Sequence, residues 1–213
     1  MKSPKEQIKP YVNEEERWIF VHIPKTGGMT INRLLGIKGG HANLQMMVDC
    51  GVRVKQYFRF AFVRNPYLRA LSFYNRTLAQ VRPKPVPWME RVKAYRDFDH
   101  FVEDMIINEG MDDVHQPWIQ HLYTQRSWLL MNGEISMDFI GRHETYEDDV
   151  RRLLKRLGKP VPDEIPHANR TPGRYELKMS TRSAEALTEK YMHDFYRFDY
   201  KMDPAAVGIE VTD

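Results

Sequence analysis

The chain has 213 residues, 42% of them hydrophobic, which suits one domain with a sizeable core and room for a helical cap. Its 32 basic residues against 29 acidic ones leave a net charge of +3, too mild a balance to imply a nucleic-acid partner. The lone Cys50 excludes an intrachain disulfide and a cysteine-based metal cluster, and no apolar run approaches the ~20 residues that span a bilayer.

The first element predicted is a strand over residues 18–23, an unbroken apolar run that reads as buried on both faces. It stops at Pro24 and passes through Lys25-Thr-Gly-Gly28 into helix-compatible residues 29–35. A strand feeding a glycine turn and a helix start gathers backbone N–H groups and a positive dipole end, which is what an anionic ligand needs. Lys25 adds a full charge beside them. In a Walker A loop the lysine follows the last glycine, whereas here it precedes both, so an ordinary ATP or GTP loop is not indicated.

A second strand is predicted at Phe58-Arg-Phe-Ala-Phe-Val63, followed at once by Arg64-Asn-Pro66. Asn65 is a good N-cap and Pro66 suits a first helical position. Leu68, Leu71, Tyr74 and Leu78 then recur at helical steps. Arg64 lies at the strand's carboxyl edge and Ser72 about two turns along the helix. Ligands of open α/β sheets bind outside such edges. Two edges, one bearing Lys25 and one bearing Arg64, predict a ligand with two separate anionic groups. Arg33, Arg69, Arg76 and Arg82 recur near the same loops, where a solvated face of mixed charge is the alternative reading.

Further along, Val81-Arg-Pro-Lys-Pro-Val-Pro87 packs three prolines into five residues, a stiff linker or a cleft rim, and a helical stretch is predicted at residues 98–107. Asn132-Gly133 between apolar runs signals a hairpin, while Phe139-Ile140 also reads as a buried parallel strand. Glu147 and Asp148 open a helix striped by Val150, Leu153, Leu154 and Leu157 and closed at Gly158, with Arg151, Arg152, Lys155 and Arg156 on its polar side. A closing helix carries the stripe Ala184, Leu187, Tyr191 and Phe195. Helices alternating with short apolar strands predict an α/β fold, a P-loop-like parallel sheet with helices on both faces.

These motifs resemble the PAPS-dependent sulfotransferases, in the carbohydrate branch that includes heparan sulfate 2-O-sulfotransferase. Phe20-Val-His-Ile-Pro-Lys-Thr-Gly-Gly28 is similar to that branch's 5′-phosphosulfate loop. Phe60-Ala-Phe-Val-Arg-Asn-Pro-Tyr-Leu-Arg-Ala-Leu-Ser-Phe-Tyr74 is similar to its 3′-phosphate segment. Weaker likenesses follow at His115-Gln-Pro, Phe139-Ile-Gly-Arg-His-Glu144, Ile165-Pro-His-Ala-Asn169 and residues 191–200, so the resemblance covers about residues 17–201. It implies the sulfotransferase fold across the whole chain and PAPS as donor, with PAP the product and no metal. The acceptor is then a hydroxyl, of a glycan in this branch. Animal Golgi members carry a membrane anchor. The start Met1-Lys-Ser-Pro-Lys-Glu6 lacks a signal-peptide core, so a cytoplasmic enzyme of bacterial or viral type is expected. Two departures stand out. Met29 occupies the usual threonine position, with Thr30 next, and the short histidine motif reads His41-Ala-Asn43.

The resemblance assigns Lys25, Thr26, Gly27, Gly28, Met29 and Thr30 to the phosphosulfate and Arg64 and Ser72 to the 3′-phosphate. Arg170 and Arg174, in a late loop, are candidates to close over the latter. Sulfuryl transfer, like phosphoryl transfer, is an in-line displacement governed by positioning and charge. Lys25 would meet the charge developing on the leaving phosphate. A base must take the acceptor's proton, and His41 is the candidate, with His115, His167 or a carboxylate in reserve; His22, inside the first strand, reads as structural. A nucleotide kinase and an inactive PAP-binding module are the competing functions.

Overall fold

The computed structural model describes residues 3–84, 86–107, 119–166 and 177–213, and it divides the chain into two compact units. In chain order the strands are β1 (Val12–Asn13), β2 (Trp18–Val21), β3 (Phe58–Val63), β4 (Leu130–Met131), β5 (Glu134–Ile135), β6 (Phe139–Arg142), β7 (Lys178–Ser180) and β8 (Glu210–Thr212). The α-helices are α1 (Pro4–Ile8), α2 (Gly28–Leu34), α3 (Leu44–Asp49), α4 (Pro66–Ala79), α5 (Pro87–Lys93), α6 (Phe98–Val102), α7 (Gln125–Trp128), α8 (Tyr146–Arg156) and α9 (Thr181–Arg197).

The first unit comprises residues 1–64 and 125–170 and holds a four-stranded sheet in the order β1-β2-β3-β6. The predicted parallel sheet is here mixed: β2, β3 and β6 run parallel, while β1 returns antiparallel to β2 through the tight turn before Trp18. Trp18 pairs with Phe58 and Phe60 with Phe139, so the apolar runs lie side by side, and all four residues of β2 are buried. The first predicted strand, β2, ends at Val21, two residues before the predicted limit. Gly141 pairs with Phe62, whose ring fills the space a Cβ would need, and this explains a glycine inside a buried strand. Both readings of residues 127–140 hold in separate pieces. Asn132 (φ 53°) and Gly133 (φ 84°) turn the β4–β5 hairpin, and Phe139 opens the parallel strand β6.

The second unit comprises residues 65–124 and 171–213. Asn65 caps α4 by accepting from the backbone N–H groups of Tyr67 and Leu68, and Pro66 takes the first helical position. The buried face of α4 is broader than the predicted stripe: Tyr67, Ala70, Leu71, Phe73 and Tyr74 enter the core, whereas Leu68 is half-buried and Leu78 exposed. That core also takes Phe98, Phe101 and Val102 of α6 and Leu187, Tyr191 and Phe195 of α9. Two further differences have local causes. Pro87, read as the end of a linker, starts α5, where its missing N–H costs nothing. The stretch 98–107 is α6 followed by a π-turn rather than one α-helix. Strands β7 and β8 pair in parallel around α9, a β-α-β unit that the sequence reading did not anticipate.

Candidate active site

Strand β2 leads through Pro24 into a turn whose backbone is wound left-handed twice, at Lys25 (φ 71°) and Gly27 (φ 93°). For lysine that conformation costs on the order of 1–2 kcal/mol. Thr26 is buried and donates its hydroxyl to the Ile23 carbonyl at 2.9 Å, closing the turn. Gly27 is the N-cap of α2, and a Cβ there would lie 2.6 Å from the Tyr146 ring, whose hydroxyl donates to the Gly27 carbonyl at 2.7 Å. Gly28 leaves room for the His22 imidazole lying directly against it. The side chain of Met29 is exposed. The Thr30 hydroxyl is buried and donates to the Pro166 carbonyl at 2.9 Å.

The neighbouring parallel strand β3 ends next to this turn. The Arg64 peptide is gripped from both sides by the side-chain amide of Gln125 on α7. Arg64 N–H donates to Oε1 and Nε2 donates to the Arg64 carbonyl, each at 2.8 Å. Gln125 is fully buried. The Arg64 guanidinium reaches back to the Lys25 carbonyl at 3.5 Å. Two cationic side chains therefore close adjacent strand edges, which is the geometry that a ligand with two anionic groups requires.

His41 arrives on the loop between α2 and α3. Its Nδ1 lies 3.1 Å from the His22 carbonyl, which can only accept, so Nδ1 carries the proton and Nε2 is the basic nitrogen. The ring packs 4.5 Å from His22 and 5.9 Å from Trp128, extending an aromatic column that runs through Phe20 to Phe60 in the sheet. Burial, opposed in part by the His22 hydrogen bond and reinforced by the charge of Lys25, holds the His41 pKa below its ordinary value. An imidazole neutral at pH 7 beside a lysine is what general-base chemistry asks for.

Residues 10–201 match the sulfotransferase family. The chain belongs to that family. Among curated proteins it is 24% identical to zebrafish (Danio rerio) carbohydrate sulfotransferase 14 over 232 residues, covering 90% of this chain and 62% of that protein. It is 28% identical to zebrafish carbohydrate sulfotransferase 10 over 241 residues (89% and 66%) and 27% identical to the human protein of that name over 244 residues (90% and 66%). The chain thus spans somewhat less than two thirds of the length of these relatives. No solved structure matches it significantly. The α/β architecture with its mixed sheet flanked by helices is the fold expected of the family.

Of the sequence-predicted residues, Lys25, Thr26, Gly27, Gly28, Met29, Thr30, His41 and Arg64 all belong to the first unit. Ser72 lies in the second, half-buried on α4. Arg170 and Arg174 lie outside the described residues, as do His115 and His167 with the late loop around Asn169. Arg69, counted among the basic residues near the loops, is instead buried, donating to the His121 carbonyl at 3.0 Å and to that of Tyr123. Arg151, read as solvated, donates to the Pro162 and Asp163 carbonyls. Gln125, Tyr146 and Trp128 escaped the sequence reading, since nothing local marks a glutamine that pairs with a peptide 61 residues away. Among the described residues no group of three or more His, Cys, Asp or Glu side chains is clustered as metal ligands would be, and no helix is long and apolar enough to cross a membrane.

Proposed function

We propose that the chain transfers the sulfuryl group of PAPS to a hydroxyl of a carbohydrate acceptor. The observation that carries the reading is the convergence beside the ends of β2 and β3 of Lys25, Arg64 and a neutral, half-buried His41. Family membership supports PAPS as donor, and the names of the relatives support a carbohydrate acceptor. The narrower likeness to heparan sulfate 2-O-sulfotransferase rests on the motifs alone and places heparan among the first acceptors to try.

The geometry suits an in-line displacement. The acceptor oxygen attacks sulfur while the bond between sulfur and the bridging phosphate oxygen breaks. The acceptor's proton passes to Nε2 of His41, whose Nδ1–H on the His22 carbonyl fixes the ring. Charge accumulating on the departing 5′-phosphate meets Lys25 and the amides of the turn. Arg64, one strand over, takes the 3′-phosphate rather than the sulfuryl group.

This division of labour is testable by kinetics. Lys25→Ala should depress kcat severely and weaken PAPS binding, because its charge acts in both ground and transition states. Arg64→Ala should raise the Kd for PAPS and leave turnover at saturation much closer to wild type. An Arg64→Ala enzyme with unaltered PAPS affinity would overturn the two-anion reading.

A further inference from the structure

The loop that delivers His41 is held from behind by a residue that plays no part in the chemistry described above. Tyr11 lies in the single 3-10 turn Lys9–Tyr11 that precedes β1 and is fully buried. Its hydroxyl donates to the carbonyl of Gly40, the residue immediately before His41. Its ring occupies the space beside Gly39, where a Cβ would meet the Tyr11 hydroxyl oxygen at 2.7 Å and Cε2 at 2.9 Å. The ring also packs 6.2 Å from His22, whose carbonyl holds the other end of the arrangement through Nδ1 of His41. Burial raises the phenol's pKa above the ordinary tyrosine value, so it stays a donor at every working pH.

We propose that Tyr11 is a positioning residue for His41. It pins Gly39-Gly40 so that the imidazole keeps its Nδ1–H on the His22 carbonyl and its Nε2 at the sheet edge. One phenol thereby ties the end of the first predicted strand, at His22, to the loop carrying the base. The inference rests on the reading of His41 as that base.

Tyr11→Phe removes the hydroxyl and keeps the ring, so it separates positioning from packing. The expected kcat loss is about 10- to 100-fold, the cost of a base displaced by a fraction of an ångström to an ångström. PAP affinity should stay at the wild-type value, and the melting temperature should fall by only about 2–4 °C, the effect of one lost hydrogen bond in a chain of this size. Nitrogen-15 NMR of the His41 ring should show a single Nδ1–H tautomer in the wild type and a mixture in Tyr11→Phe. Gly39→Ala, which pushes the ring away from the loop side, should give the same split between kcat and PAP affinity. A Tyr11→Phe protein with wild-type kcat and an unaltered His41 signal would overturn the proposal. If His41→Ala were inactive at the same time, the base assignment would stand and the role of Tyr11 alone would fall. If His41→Ala kept full turnover, the base assignment and with it the role of Tyr11 would both be lost.

Discussion

His41 shows how one side chain's neighbours set its chemistry. Because burial and Lys25 lower its pKa, the imidazole is neutral at pH 7. Turnover should therefore rise with pH through a midpoint below histidine's unperturbed ~6.5. The same shift bears on stability. The folded chain resists protonating this ring, so below ~6.5 the unfolded chain binds the extra proton. Its contribution is intact above that pH and is lost as pH falls through ~6.5 toward the folded value. In His41→Ala, melting temperatures measured across that window should decline less steeply with acid. The substitution should also cost ~10²–10⁴ in kcat while PAP affinity holds. A variant with near-wild-type turnover on a confirmed acceptor would move the proton transfer to another group.

At the level of elements, α7 does more than its four residues suggest. Gln125 and Trp128, one turn apart and both buried, hold the Arg64 peptide and pack against His41 respectively. Gln125→Leu should remove both hydrogen bonds to the half-buried Arg64 peptide, costing about 1–3 kcal/mol of stability. It should also weaken PAP binding by releasing the strand edge. Calorimetry and PAP titration on the same protein check both, and unchanged PAP affinity would mean that Arg64 needs no such grip. The elements that sequence could foretell are those written in local terms: the apolar runs of β2 and β3, the Asn65-Pro66 cap and the α9 stripe, whose four predicted residues are all buried. The Lys25 turn was legible for the same reason, since glycine content and strand context lie within ten residues of one another. What escaped depends on partners far away in the chain. Tyr146 meets Gly27 across 119 residues, Tyr11 meets Gly40 across 29, and β7 finds β8 only after α9 has intervened. No periodicity or cap records such pairings.

On the scale of the whole molecule, the family match runs through both compact units, with the Lys25 turn and Arg64 in the first and Ser72 in the second. If Arg64 takes a 3′-phosphate as proposed, a ligand carrying one should stabilise the protein by mass action. PAP should thus raise the melting temperature clearly more than ATP, which lacks that phosphate. Equal shifts would remove the 3′-phosphate assignment. Binding alone leaves open an inactive PAP-binding module, and only turnover separates it from an enzyme. The direct measurement is incubation of the protein with sulfur-labelled PAPS and a panel of glycans, heparan included, following label and PAP together. The expected result is label in a glycan with PAP formed in equal amount, both abolished in Lys25→Ala. Tight PAP binding with no label transferred to any glycan, lipid or small alcohol would contradict the reading of this chain as a sulfotransferase.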